Sequence, residues 1–133
     1  MKPVCRKVRP SSVYDGKQGF SYFEGVASET VGATAICMHL LTIPPGGRGK
    51  AHRHEGHETA IYVVSGEGAM WYGDRLEKFM VVRAGEFLFI PAGVPHLPFN
   101  QGKVPCTAII SRTDPHEQES VVLMSELEEL VAA

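Results

Sequence analysis

Several things are scarce in this chain, and each scarcity removes a class of function. Helical periodicity is nearly absent, so a helical bundle or coiled coil is excluded. Long apolar runs are missing too: the longest, Phe87 to Ala92 and Val121 to Met124, are far too short to cross a bilayer, and no membrane partner is expected. Charge of one sign is lacking, with 13 Lys and Arg against 15 Asp and Glu and a net charge of −2. No basic stripe stands out, which argues against a nucleic-acid partner. Cysteine is limited to Cys5, Cys37 and Cys106, an odd and widely spaced set. That pattern excludes a disulfide framework and reads as reduced thiols, mostly small buried hydrophobes, in a cytoplasmic protein. The first ten residues carry charge with no apolar block behind them, so no secretory signal is expected. There is no Ser-His-Asp order, no phosphate-cradling glycine loop, and no carboxylate pair set for glycoside cleavage.

What is present is an all-β pattern. Of the 133 residues, 44% are hydrophobic and 21% charged, enough apolar side chain for one packed domain. Strands are expected at Gly19 to Glu24, Thr34 to Ile43, Thr59 to Val64, Gly68 to Tyr72, Phe79 to Arg83, Glu86 to Ile90 and Cys106 to Ser111. Turn chemistry separates them, as in Pro44-Pro45-Gly46-Gly47, Ser65-Gly66-Glu67-Gly68 and Pro91-Ala92-Gly93. Many short strands with regular turns predict a sandwich or barrel. One helix is expected, at the C-terminus, where Ser125 and Glu128 fit a capping box ahead of Leu127, Leu130 and Val131.

The six histidines are clustered. His52, His54 and His57 fall within six residues, after a glycine-rich turn and before a strand. In an extended chain His52 and His54 project to the same side. Converging neutral imidazoles suit Fe, Ni, Cu or Zn, whereas His39 and His116 stand alone and read as structural or surface residues.

These residues sit inside two longer patterns. Gly46-x5-His52-x-His54-x3-Glu58, followed by Gly66, resembles the first cupin motif. Gly85-x5-Pro91-x-Gly93-x2-His96-x3-Asn100 is similar to the second cupin motif at every position. The resemblance implies a single domain: a double-stranded β-helix (jelly-roll) barrel over residues 34–112, N-terminal strands over 1–33, and a C-terminal strand and helix over 113–133. It also implies a divalent transition metal (Fe, Mn, Ni or Zn) held by His52, His54, His96 and a first-motif glutamate.

The glutamate position is where the chain departs from the pattern. Glu58 has the usual gap after His54, but seven residues separate it from Gly66 where the family has six. Counting back from Gly66 puts Thr59 in the slot, and a neutral hydroxyl is a poor ligand for a transition-metal dication. A β-bulge near Ala60 would turn Glu58 inward; alternatively His57, on the same side of the strand as Thr59, supplies the fourth ligand. The fourth ligand is therefore expected to be His57 or Glu58.

Ile61 and Val63 should face the interior with Thr59, joined by Met70 and Tyr72 or Trp71 from the neighbouring strand, to make a mostly apolar pocket. Arg48, Lys50 and Arg53 read as solvated charge near its mouth, able to attract an anion. Tyr62, Trp71 and Tyr72 read as core or subunit-contact aromatics, and Asn100 as a residue that closes a turn on backbone. The expected function is a metalloenzyme, dioxygenase-like or isomerase-like, acting on a small organic molecule in the barrel. The alternative is a non-catalytic binding or sensor module. A homodimer is expected, with the strand-like pieces before Thr34 available to a partner's sheet.

Overall fold

Strands form where β-branched and aromatic side chains alternate with polar ones, because such residues fit a pleated, half-buried surface. The computed structural model describes residues 2–9, 13–15, 20–116 and 120–131. Its elements are β1 (Val13–Asp15), β2 (Ser21–Val26), the short helix α1 (Ser28–Val31), β3 (Cys37–Ile43), β4 (His52–His54), β5 (Thr59–Ser65) and β6 (Glu67–Tyr72). They continue with β7 (Lys78–Arg83), β8 (Phe87–Ile90), β9 (His96–Phe99), β10 (Cys106–Arg112), β11 (Val121–Leu123) and a 3-10 helix (Ser125–Val131). Gly19, the expected start of the first strand, lies outside the described residues.

The strands make two antiparallel sheets. One has six strands in the order β1-β2-β3-β10-β5-β8, the other five in the order β11-β4-β9-β6-β7. This is the expected all-β, double-stranded β-helix architecture. The pieces before Thr34 do not stand free: β1 pairs with β2, and β2 pairs with β3 of the same chain.

Two apolar clusters hold the sheets. The first is formed by Phe20, Tyr22, Leu41, Ile43, Val63, Val82, Cys106 and Ile110. The second gathers Ala51, Leu76, Leu97 and Leu127, so the C-terminal segment covers part of the five-stranded sheet. That segment is a 3-10 helix, tighter than the expected α-helix, with Leu127 as its buried contact.

The register of β5 settles where the extra residue of the first motif goes. Thr59, Ala60, Ile61 and Tyr62 pair without interruption with Ile90, Phe89, Leu88 and Phe87 on β8. They also pair regularly with β10, from Arg112 to Ile109. The irregularity comes later: Thr107 faces Ser65 while Ala108 faces Val63, which leaves Val64 as the bulged residue. A bulge near Ala60, one of the two alternatives open to the first motif, is therefore absent. Gly66 follows at φ 74° with its backbone packed against Pro105, so a side chain there would face both a left-handed backbone and a collision.

Candidate metal centre

Alternation along β4 does the first part of the positioning. His52 and His54 are buried on its inner face, and Arg53 points outward to Glu55, 2.6 Å away. On one side β4 is covered by β11, with His52 opposite Leu123 and His54 opposite Val121. On the other side His52 pairs directly with His96, the first residue of β9. The turn before His96 is held by Gly93, whose φ of 80° lets its N–H reach back to the carbonyl of His54 at 2.9 Å. The backbone thus ties the two histidine-bearing segments together at the site itself.

The three rings converge. Their centroids lie 4.2 Å apart for His52 and His96, 5.2 Å for His52 and His54, and 5.7 Å for His54 and His96. One ligand atom from each lies within 4.8 Å of the other two. Backbone carbonyls select the tautomer: Nδ1–H of His52 donates to Lys50 at 2.7 Å, and Nδ1–H of His96 to Val94 at 2.9 Å. In a neutral ring this leaves the Nε2 lone pair for a metal ion. Nδ1 of His54 shares a hydrogen bond of 3.2 Å with the Ser120 hydroxyl. All three rings are held neutral, chiefly because burial penalises the imidazolium. His96 is pushed down to about 4, and His52 and His54 also lie well below the ordinary histidine value. Buried, neutral and oriented imidazoles are what a transition-metal dication requires, so the residues present fit the group.

A cavity of about 80 Å³ adjoins the rings, walled by Leu41, Ile43, Val63, Met70, Val82 and Ile110 among others. Thr59, Ile61 and Val63 line it as the strand register requires. Cys106 also lines it, with its thiol raised above the ordinary value by burial and then by the charge of Glu67. Its partner in burial is Cys37, while Cys5 is exposed.

The structure does not bring His57 or Glu58 to the three histidines. Glu58 is exposed, and its backbone N–H donates to the Thr113 hydroxyl. The His57 ring is directed to the Thr113 carbonyl at 2.7 Å, with Nε2 3.9 Å from Asp114. The reason is the register: with the bulge at Val64, Thr59 keeps the inward position and is only 2% exposed.

Beside Thr59 stands a residue that the reading of the sequence passed over. Arg112, 4% exposed, ends β10 on its inner face, and its Nε–H donates to Thr59 Oγ1 at 3.0 Å. It lines the same cavity as the histidines, and its charge is among the influences that hold their imidazolium forms down. The available signal was period two: Cys106, Ala108, Ile110 and Arg112 alternate with polar or half-buried neighbours. His39 is also buried, packed edge-on against Tyr22 at 4.8 Å and lowered to about 3 by burial and then by Arg112. His116 is half-exposed beside Glu29. Tyr62 packs tilted against Phe87 and Trp71 against Phe79, and neither Tyr62 nor Trp71 lines the cavity. Arg48 reaches the Glu128 carbonyl at 3.3 Å. Asn100 closes its turn on backbone, as expected, donating to Ile43 and Val104 and accepting from Gly102.

Comparison with known proteins adds to this geometry. Residues 39–111, more than half of the chain, match the Cupin_2 family, described as Cupin domain. The chain is 33% identical over 87 residues to the putative germin-like protein 3-4 of Oryza sativa subsp. japonica, covering 61% of this chain and 38% of that protein. It is 33% identical over 82 residues to oxalate oxidase GF-2.8 of Triticum aestivum, covering 57% and 36%. The chain thus spans little more than a third of the length of these relatives. The structure of the polyketide cyclase RemF from Streptomyces resistomycificus superposes with a TM-score of 0.73 at 21% identity, covering 94% of this chain and 92% of that one. That last likeness is one of fold.

Proposed function

The chain belongs to the Cupin domain family, and from that premise we propose that it is a metalloenzyme acting on a small organic molecule inside the barrel. The observation that carries this reading is the convergence of three buried, neutral imidazoles on one point beside an apolar cavity. His52, His54 and His96 would hold a divalent transition metal, Fe, Mn, Ni or Zn. When bound, such an ion supplies Lewis acidity or redox chemistry, with positions left open for a substrate.

The chain's own residues do the rest. The carbonyls of Lys50 and Val94 hold Nδ1–H of His52 and His96, and so aim Nε2 at the ion's position. Leu41, Val63, Val82 and Ile110 keep water out of the pocket and leave room only for a small substrate. Dioxygenase-like chemistry is the first candidate and isomerase-like chemistry the second. Elemental analysis of the purified protein, with oxygen uptake and product analysis on a panel of small acids and sugars, tests this. Stoichiometric redox-active metal with turnover is expected. A metal-free protein, or bound zinc without turnover on any substrate, would sink the enzyme.

The competing reading is a non-catalytic binding or sensor cupin. It is favoured by one observation: among the described residues lining the cavity there is no carboxylate to act as a general base. Saturable ligand binding without turnover would decide for it.

We also propose a homodimer in a reducing, cytoplasmic setting. Support comes from the outer face of the six-stranded sheet, where Phe87 is 81% exposed and Phe89 and Met38 are exposed beside it. The buried Cys37 and Cys106 form no disulfide among the described residues. Among the described residues no helix is long and apolar enough to cross a membrane. Light scattering at micromolar concentration should give twice the chain mass, and a monomer would refute the dimer. A stable pair should bury more than roughly 1,000 Å².

A further inference from the structure

We propose that small molecules reach the barrel cavity through the seam between β7 and β8, and that Met70 and Ile90 set the size of what enters. The inference rests on the reading of a small molecule bound in the barrel and deepens it by naming the residues that select that molecule.

The seam follows from the order of the strands. β8 ends one sheet and β7 ends the other, so no ladder of backbone hydrogen bonds joins them. Side chains alone close the wall there, and rotamer changes are fast and cheap beside the opening of a ladder. Next to the seam lies a surface pocket of about 390 Å³, bordered by Tyr72, Lys78, Met80 and Val94. Met70 and Ile90 line both this pocket and the internal cavity of about 80 Å³. Each is only 5% exposed, so the two side chains form the partition between the spaces. The partition is level with the histidines: Ile90 lies opposite Thr59 in register, and Tyr72 opposite His96. A molecule that passes Met70 and Ile90 therefore arrives beside the converging rings.

The other pockets offer no such passage. The groove along Trp71 and Phe79 and the hollow beside His57 and Asp114 share no lining residue with the cavity. The hollow at Tyr62 and Phe87 shares Ile61 and Leu88 with it, but those two residues are partners across the ladder of β5 and β8. Hydrogen-bonded backbone closes that wall.

The two residues of the partition differ in stiffness. Ile90 is β-branched and restricted at χ1. Met70 is unbranched and rearranges at little cost. Its partner across the β6–β7 ladder is Met80, a second adaptable side chain on the same pocket. Met70 is thus the moving part and Ile90 the fixed edge, and the opening passes a compact molecule while holding back a bulky one.

Thr59→Cys supplies a reporter, since Thr59 lines the cavity opposite Ile90, is 2% exposed and is close in size to cysteine. The chelator-treated full chain carrying it is exposed to methyl methanethiosulfonate, and mass spectrometry of its peptides follows each thiol. Cys37, buried and outside the cavity wall, is the internal reference. Adding Met70→Ala should speed modification of the introduced thiol at least tenfold while Cys37 keeps its rate. Ile90→Val, a milder change that serves if Met70→Ala fails to fold, should speed it about threefold. Leu41→Ala trims the wall on β3, inside the paired sheet, and should change the rate less than twofold. Benzyl methanethiosulfonate should react at least tenfold more slowly than the methyl reagent at the unaltered seam, and Met70→Ala should narrow that ratio. Rates insensitive to Met70 and Ile90, an equal effect from Leu41→Ala, or parallel acceleration of Cys37 would overturn the route and leave the metal reading standing. A metal-free protein whose thiol rates follow the seam would sink the enzyme and leave the route.

Discussion

Replacing Asn100 by alanine should cost about 3 kcal/mol of stability, although the residue touches no substrate. Its side chain is 1% exposed and satisfies three backbone groups. Nδ2 donates to the carbonyls of Ile43 at 3.0 Å and Val104 at 2.8 Å, and Oδ1 accepts from the Gly102 N–H at 2.8 Å. Each such bond is worth roughly 1 kcal/mol net, and a buried group left without its partner costs at least as much. The Asn100 backbone also exchanges bonds with Gly46 and Gly47 at 2.9 and 2.8 Å. The side chain therefore braces the junction between the turn leading to β4 and the end of β9, the two strands that carry the histidines. Asn100→Asp sharpens the test. It keeps the shape but turns two donors into acceptors facing carbonyl oxygens, and adds a buried charge. At pH 7 it should be costlier than alanine. Burial raises the aspartate pKa in the folded chain, so the excess over alanine should shrink as pH falls through that raised value. Urea unfolding followed by fluorescence of the single tryptophan, Trp71, measures both variants. An alanine cost below about 1 kcal/mol, or an aspartate variant as stable as alanine at pH 7, would refute the reasoning.

Three further outcomes are expected. His39 is held near a pKa of about 3 by burial and by Arg112, with Tyr22 against its ring and Glu24 opposite it in register. Since the unfolded chain takes up this proton near pH 6.5, the stability is complete above that pH and is lost below it, about 2 kcal/mol between pH 7.5 and 5. His39→Leu should flatten the acid limb of a stability–pH curve by that amount, and an unchanged slope would count against the account. Leu97→Ala, at a fully buried position packed with Leu76 and Leu127, should cost about 2–5 kcal/mol in denaturant unfolding without loss of metal. Single changes of His52, His54 or His96 to alanine should each cut metal content sharply, whereas His57→Ala should leave it near normal; full metal in any of the first three would remove that histidine from the site.

The sequence and the structure diverge in ways that have local causes. Strands rich in Val, Ile and aromatics were readable because alternation and β-propensity agree in them, as in β3 and β10. Strands β4 and β9 were not. His-Arg-His has no β-propensity to display, and His-Leu-Pro-Phe contains Pro98, which argues against an interior strand. Pro98 lies beyond the single β4–β9 pair at His96, where only an isolated bridge from Arg48 to Phe99 flanks it, and its carbonyl still accepts from the Gly49 N–H at 2.8 Å. The histidine spacing and the turn-closing role of Asn100 depend on two-residue alternation and short-range geometry, which a sequence displays directly. Arg112 was missed for a boundary reason. A charge at a strand end reads as solvated, so the strand was expected to stop at Ser111, one residue before the inward position that matters.

The identity of the residue beside the histidines turns on where one extra residue is absorbed. Side chains in a strand alternate, so a bulge reverses the facing of everything on one side of it relative to the other. A bulge at the start of β5 would have turned Glu58 inward and given the ion site a negative ligand. The bulge at Val64 lies beyond the residues that face the histidines, so Thr59, Ile61 and Val63 keep one unbroken inward phase. Glu58 then falls on the solvent side, where it is exposed. The cross-strand partner of Thr59 is Arg112, and neighbours in register share a face, so a buried threonine at that point places the guanidinium in the same wall. The register thus places Thr59 and Arg112, and no carboxylate, beside the histidines among the described residues that line the cavity. The spacing between His54 and Gly66 alone does not determine it, because the same count is compatible with a bulge at either end of β5.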